Sequence, residues 1–105
     1  MGWFATRSVY LFATKENGTN IFEERIVCFQ ACDFEEANAK AVKEAEHYAA
    51  DNHFEVHKEQ LTYQQDGRAL IDGYELWSEL YEANMSLDEF YNEQYRKNLY
   101  HPDVD

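Results

Sequence analysis

Three histidines, His47, His53 and His57, are the first candidates for metal chemistry in this chain. On an extended backbone His53, Glu55, His57 and Glu59 share one face. Zinc accepts imidazole and carboxylate ligands at about 2.0–2.2 Å. The spacing is unfavourable, because extended residues four apart are separated by roughly 13 Å of rise. His53 with Glu55, or Glu55 with His57, could share an ion, but no third ligand is assigned. A small metal-dependent hydrolase on this edge is therefore a rival reading. A solvated polar face is the plainer one, with no metal and no cofactor.

Cys28 and Cys32 are the only cysteines. Four residues apart, on a strand and its exit, they are poorly placed to bridge each other. Two lone thiols and the lack of a basic, then apolar, leader suggest a reducing cytoplasm. Cys28 reads as a small core hydrophobe and Cys32 as incidental. The start Met1-Gly2-Trp3-Phe4-Ala5-Thr6 formally matches a myristoylation pattern. Bulky aromatics follow the glycine at once, so the match reads as chance. The 21 acids offer many carboxylate pairs, but that abundance dilutes the signal. Neither a nucleophile elbow, a Walker loop, a dinucleotide fingerprint nor a His-Glu-x-x-His run is present. Four glycines cannot build a phosphate-cradling loop. We therefore expect no enzyme.

The strongest constellation is acidic and aromatic. The chain has 105 residues, 21 acids against 9 Lys or Arg, and a net charge of −12. Residues 1–32 hold three acids and three bases, so the whole deficit of positive charge lies after them. Such a charge argues against direct binding to nucleic acid or to an anionic membrane. Nor is there an apolar run long enough to span a bilayer. Aromatics at 16% argue against disorder. From Tyr74 onward come five of the eight tyrosines, with Trp77 and Phe90, among eight acids. Tyr and Trp dominate binding hot spots, and carboxylates steer a basic partner. Trp77, Glu79, Tyr81, Glu82, Asp88 and Tyr91 are the expected partner-binding residues. The reading is a cytoplasmic protein that binds and blocks a basic partner. Its sharpest form is an immunity protein neutralising a bacterial toxin, a nuclease by preference. A phage-derived mimic of nucleic acid, inhibiting a host DNA-binding system, is the alternative. Self-association through a strand edge, giving a homo-oligomer, stays open.

The elements that must hold these residues follow from local pattern. Residues 3–14 are dense in aromatic and β-branched types and read as a strand. Asn17-Gly18 is a hairpin signal. Residues 21–31 return as a second strand, apolar on both faces at Ile26-Val27-Cys28-Phe29 and so expected at the sheet centre. Asp33 caps a helix, with Glu at its third position. That helix carries the stripe Phe34, Ala37, Ala41, Ala45 and Tyr48, with Val42 and Ala49 beside it, and ends near Ala50, at Asp51-Asn52. Residues 53–59 alternate and read as a half-solvated strand. Asp66-Gly67 marks another turn. Residues 69–83 read as a long strand interrupted near Asp72-Gly73, with helix as the competitor for 74–83. Ser86 and Glu89 form a second capping box, opening a helix with the stripe Leu87, Phe90, Tyr91, Tyr95 and Leu99, stopped by Pro102. The order β-β-α-β-β-α implies one α+β domain over residues 1–105. It is a two-layer sandwich, with an antiparallel sheet of about four strands and two helices.

Residues 3–83 also resemble a small bacterial family of unknown function, number 4288 in the domain-of-unknown-function series. The likeness rests on Trp3-Phe4 with Arg7 behind it, on Phe22-Glu23-Glu24-Arg25-Ile26-Val27, on Glu35-Glu36-Ala37-Asn38-Ala39-Lys40-Ala41, and on Ile71-Asp72-Gly73-Tyr74-Glu75-Leu76. The resemblance implies a compact α+β domain, no activity and no catalytic residue. From Ser86 onward the helix looks like an addition.

Overall fold

The computed structural model describes residues 1–66, 72–73, 75–77 and 80–100. Its organising element is β1, Gly2–Thr14, thirteen residues rich in types that suit a pleated surface. The chain reverses over residues 15–19, where Gly18 takes φ +90, open to glycine without a Cβ penalty. Gly18 N donates to Lys15 O at 2.9 Å, and Lys15 N to Thr19 O at 2.8 Å. β2, Asn20–Ala31, then runs antiparallel beside β1 along its whole length. One extra residue on β1, Phe12, makes a bulge in that ladder.

Helix α1, Phe34–Asn52, crosses one face of this hairpin. The Asp33 carboxylate accepts from Glu36 N at 2.9 Å, and Glu36 Oε1 reaches back to accept from Cys32 N at 2.9 Å. These bonds satisfy donors that the helix start leaves open. The buried stripe is Ala37, Ala41, Ala45 and Ala49. Small side chains let the helix lie close on the sheet. Phe4 and Tyr10 on β1 fill the space beneath, each about 1% exposed. Burying such a side chain stabilises by about 1.5–3 kcal/mol. Phe4 packs with Ala31 and Ala37, Tyr10 with Ala45, Ala49, Tyr48, Phe54 and Val56. Phe34 and Val42, expected on the stripe, lie near its rim, about half exposed.

α1 ends at Asn52, in the Asp51-Asn52 stretch where the sequence predicts its stop. His53 there adopts φ 59, ψ 38, the left-handed cap. Phe54 N donates to Ala49 O at 2.8 Å and His53 N to Ala50 O at 3.3 Å, a Schellman motif with histidine where glycine is usual. His53 therefore ends a helix rather than beginning a strand. The strand that follows is β3, Glu55–Val56, and then β4, Leu61–Gln64. Both pair antiparallel with β1, β3 at Tyr10 and Leu11, β4 at Phe4 to Arg7. Between them this side of the ladder carries two more residues than β1 does. Gln60 fills the gap, donating to Ser8 Oγ at 2.7 Å and reaching Ala41 O at 3.4 Å.

The architecture is the expected α+β one: an antiparallel four-stranded sheet with two helices, in the order β-β-α-β-β-α. Its internal arrangement differs in three ways. Among the described residues β1 is the central strand and β2 an edge, because β3 and β4 take the other side of β1. The apolar run in β2 misled because its even residues face away from α1. Ile26 and Cys28 lie exposed there, so Cys28 is no core residue. The fourth strand is Leu61–Gln64. Of the expected strand over 69–83, residues 72–73, 75–77 and 80–83 lie in no strand or helix, and the rest fall outside the described residues. Asp72 and Gly73 make a turn, Gly73 at φ +80. The turn expected at Asp66-Gly67 lies partly outside the described residues.

Candidate partner-binding surface

The acidic and aromatic residues past Leu80 are held by a short helix. Ser86 Oγ accepts from Glu89 N, and Glu89 Oε1 accepts from Ser86 N, both at 3.2 Å. This capping box opens α2, Leu87–Tyr91, as the sequence suggested. The helix then widens into a π turn, Asn92–Arg96, closed by Lys97 N on Asn92 O at 2.8 Å. No residue of α2 or of the π turn is buried. The stripe lies on the surface: Leu87, Tyr91, Tyr95 and Leu99 are all exposed. Pro102 lies outside the described residues.

On that surface the rings meet one another instead of a core. Tyr81 packs on Phe90 at 5.4 Å, Phe90 on Tyr95 at 6.4 Å, and Tyr95 on Tyr91 at 5.3 Å. Arg96 lies over the Tyr91 ring at 5.1 Å. A shallow hollow of about 300 Å³ opens beside Tyr81 and Phe90, floored by Leu80, Met85 and Leu87. Glu82 and Asp88, next in sequence to residues that line it, are exposed. Glu93 takes Lys97 at 3.5 Å.

Of the six expected residues, Tyr81 and Tyr91 join one chain of rings, with Glu82 and Asp88 nearby in sequence. Trp77 sits elsewhere, against the Tyr63 ring of β4 at 5.8 Å. Its approach is fixed by Gln65 Nε2 donating to Leu76 O at 3.1 Å and by the Tyr63 hydroxyl on the Glu75 carboxylate. Glu79 lies outside the described residues. Tyr63 was not anticipated, and nothing local marks it; its role depends on residues 75–77 coming across the sheet.

A second polar cluster lies between α1 and β2. Arg25 donates to Glu44 Oε1 and Oε2 at 2.8 and 2.7 Å, and to the Tyr10 hydroxyl at 3.4 Å. Its guanidinium stacks on Tyr48 at 3.7 Å. The Glu44 carboxylate, foremost, holds the Arg25 charge above even its ordinary range. Tyr48 in turn donates to Glu23 at 2.7 Å, which pushes its phenol up from the usual tyrosine value. These contacts tie the helix to the sheet.

The histidine edge does not assemble as an extended face. His53 caps α1, and His57 Nδ1 accepts from Glu59 N at 3.1 Å. Among the described residues no three His, Cys, Asp or Glu side chains gather as metal ligands. No helix among them is long and apolar enough to cross a membrane.

Compared with known proteins, residues 3–87 match the family model described as Domain of unknown function (DUF4288). The match spans α1 and all of the sheet except Gly2, and stops at the first residue of α2. No curated protein and no solved structure matches the chain.

Proposed function

Because the chain belongs to the DUF4288 family, whose function is unknown, we propose from its own surface that it is an interaction domain for a basic protein partner. The observation that carries this reading is the ring chain Tyr81–Phe90–Tyr95–Tyr91, held outside the core on a segment with no buried residue. Exposed aromatic clusters of this kind mark association surfaces. The carboxylates Glu82 and Asp88 beside it supply the field that draws in a cation-rich surface. Trp77 and Glu79 remain expected partner-binding residues in this reading. Asp88 and Tyr91 lie past the family match, whereas Trp77, Glu79, Tyr81 and Glu82 lie within it.

The sharpest form is a bacterial immunity protein acting in the cytoplasm, where its two free thiols persist. It would cap the nucleic-acid groove of a toxin nuclease. The test is a pull-down from the native host at low and at high salt, followed by co-expression with any basic protein encoded beside it. Recovery of one basic protein at low salt, released as salt rises, is the expected result. A retained partner that is acidic, or no partner at either salt, overturns the reading.

A further inference from the structure

β2 is an edge strand, and the direction of its backbone groups can be worked out. On β1, Val9 O accepts from His57 N and Trp3 O from Gln65 N, both at 2.9 Å. Odd residues of β1 therefore bond toward β3 and β4, and even residues bond toward β2. The register pairs Phe4, Thr6, Ser8 and Tyr10 with Phe29, Val27, Arg25 and Glu23. The even residues of β2 are left pointing outward. Lys40 Nζ agrees with this, donating to Gln30 O from outside the sheet at 2.7 Å.

The two ends of this edge are occupied. Lys40 holds Gln30, and the segment from Gln94 to Tyr100 closes a groove of about 850 Å³ against Ile21 and Phe22. Between them stand Glu24, Ile26 and Cys28, all exposed, with no hydrogen bond to their outward backbone groups among the described residues. An edge of this length invites another strand. β2 has no Pro, Gly or Lys, and the bulge in its ladder belongs to β1.

We infer that this edge pairs with the same edge of a second copy, antiparallel about a two-fold axis at Ile26. Charge selects the occupant. Residues 1–32 are neutral in a chain of net −12. On β2, Glu24 lies near Arg7 at 4.0 Å, Arg25 holds Glu44, and Glu23 accepts from the Tyr48 hydroxyl. A basic partner finds a surplus of only one acid along β2, a weak pull beside that of the whole acidic chain. The axis at Ile26 is symmetric within the open stretch. It sets Glu24 opposite Cys28 of the second copy and Arg25 opposite Val27, so like charges never face each other. Centring on Glu24 or Arg25 would place each against itself. Both α1 helices then lie on the same side of one continuous sheet.

Sedimentation of the full chain over a range of concentrations tests this. A mass near twice 12.5 kDa is expected, falling to the monomer in Ile26→Lys. Disulfide trapping fixes the register without relying on that variant. With Cys28→Ser and Cys32→Ser as background, Ile26→Cys crosslinks on mild oxidation, because directly opposed residues have Cα atoms about 5.5 Å apart. Glu24→Cys in the same background stays uncrosslinked, some 13 Å from its copy. Restoring Cys28 beside Glu24→Cys brings the crosslink back. A monomer at every concentration, an Ile26→Lys dimer, or equal trapping at positions 24 and 26 overturns the proposal.

Discussion

Arg25 of β2 holds Glu44 of α1 through both terminal nitrogens, at 2.8 and 2.7 Å. Each side chain keeps about a third or less of its surface exposed. This paired, charge-assisted contact joins two residues nineteen positions apart in sequence, one on each element. Glu44→Gln leaves the guanidinium without its counter-charge, and we expect a loss of about 1–2 kcal/mol. Urea denaturation measures it. In a double-mutant cycle with Arg25→Met, the pair should cost less than the two single changes added together. Strict additivity would show that the contact contributes nothing.

Tyr48 makes alkaline stability testable. Its phenol is raised by the hydrogen bond it donates to Glu23. A group raised on folding contributes stability that is complete below its unfolded value, about 10 for tyrosine, and is lost as pH rises through the higher folded value. Tyr48→Phe therefore lowers stability at neutral pH but flattens its decline above pH 10. Tyrosinate absorbance during alkaline titration should lose one component that ionises above the ordinary tyrosine value in the variant.

The alanine stripe of α1 sets how close the helix lies. Ala41 is 1% exposed over Ser8 and Gln60. Ala41→Leu forces extra methylenes into that contact and should destabilise by about 1–3 kcal/mol. Ala39→Leu, on the exposed side of the same helix, should stay within about 0.5 kcal/mol. Equal effects on thermal unfolding would contradict the assigned face.

His53 carries strain at the end of α1. A left-handed residue with a Cβ costs about 1–2 kcal/mol relative to the right-handed form. His53→Gly removes it, partly offset by the entropy of a freer unfolded chain. A net gain of about 0.5–1 kcal/mol in denaturant unfolding is expected.

Tyr91 separates binding from folding. It is half exposed and belongs to a segment without buried residues. Tyr91→Ala should leave stability within about 0.5 kcal/mol. Its affinity for the recovered partner should fall at least tenfold, about 1.4 kcal/mol, as read by calorimetry. Unchanged affinity would move the binding surface elsewhere.

Some of the fold was readable directly. Asp33 and Glu36, Ser86 and Glu89, and Asn17 with Gly18 were all legible, because caps and turns satisfy their backbone groups within a few residues. The alanine spacing likewise predicted which face of α1 is buried. Even the imbalance of charge past residue 32 needed no structure.

Burial and strand pairing were decided elsewhere in the molecule. Ile26 and Cys28 have core-like types, yet α1 covers only one face of the sheet and leaves them outside. Leu61–Gln64 is too short to announce itself, and it is a strand because Phe4 to Arg7 of β1 present a free side to it. Leu87, Tyr91, Tyr95 and Leu99 repeat like a core stripe, but no described layer covers them, so they remain surface. Local chemistry settled where elements begin and end. Which apolar residues became core and which became a face depended on what packed against them, a long-range outcome that spacing along the chain does not contain.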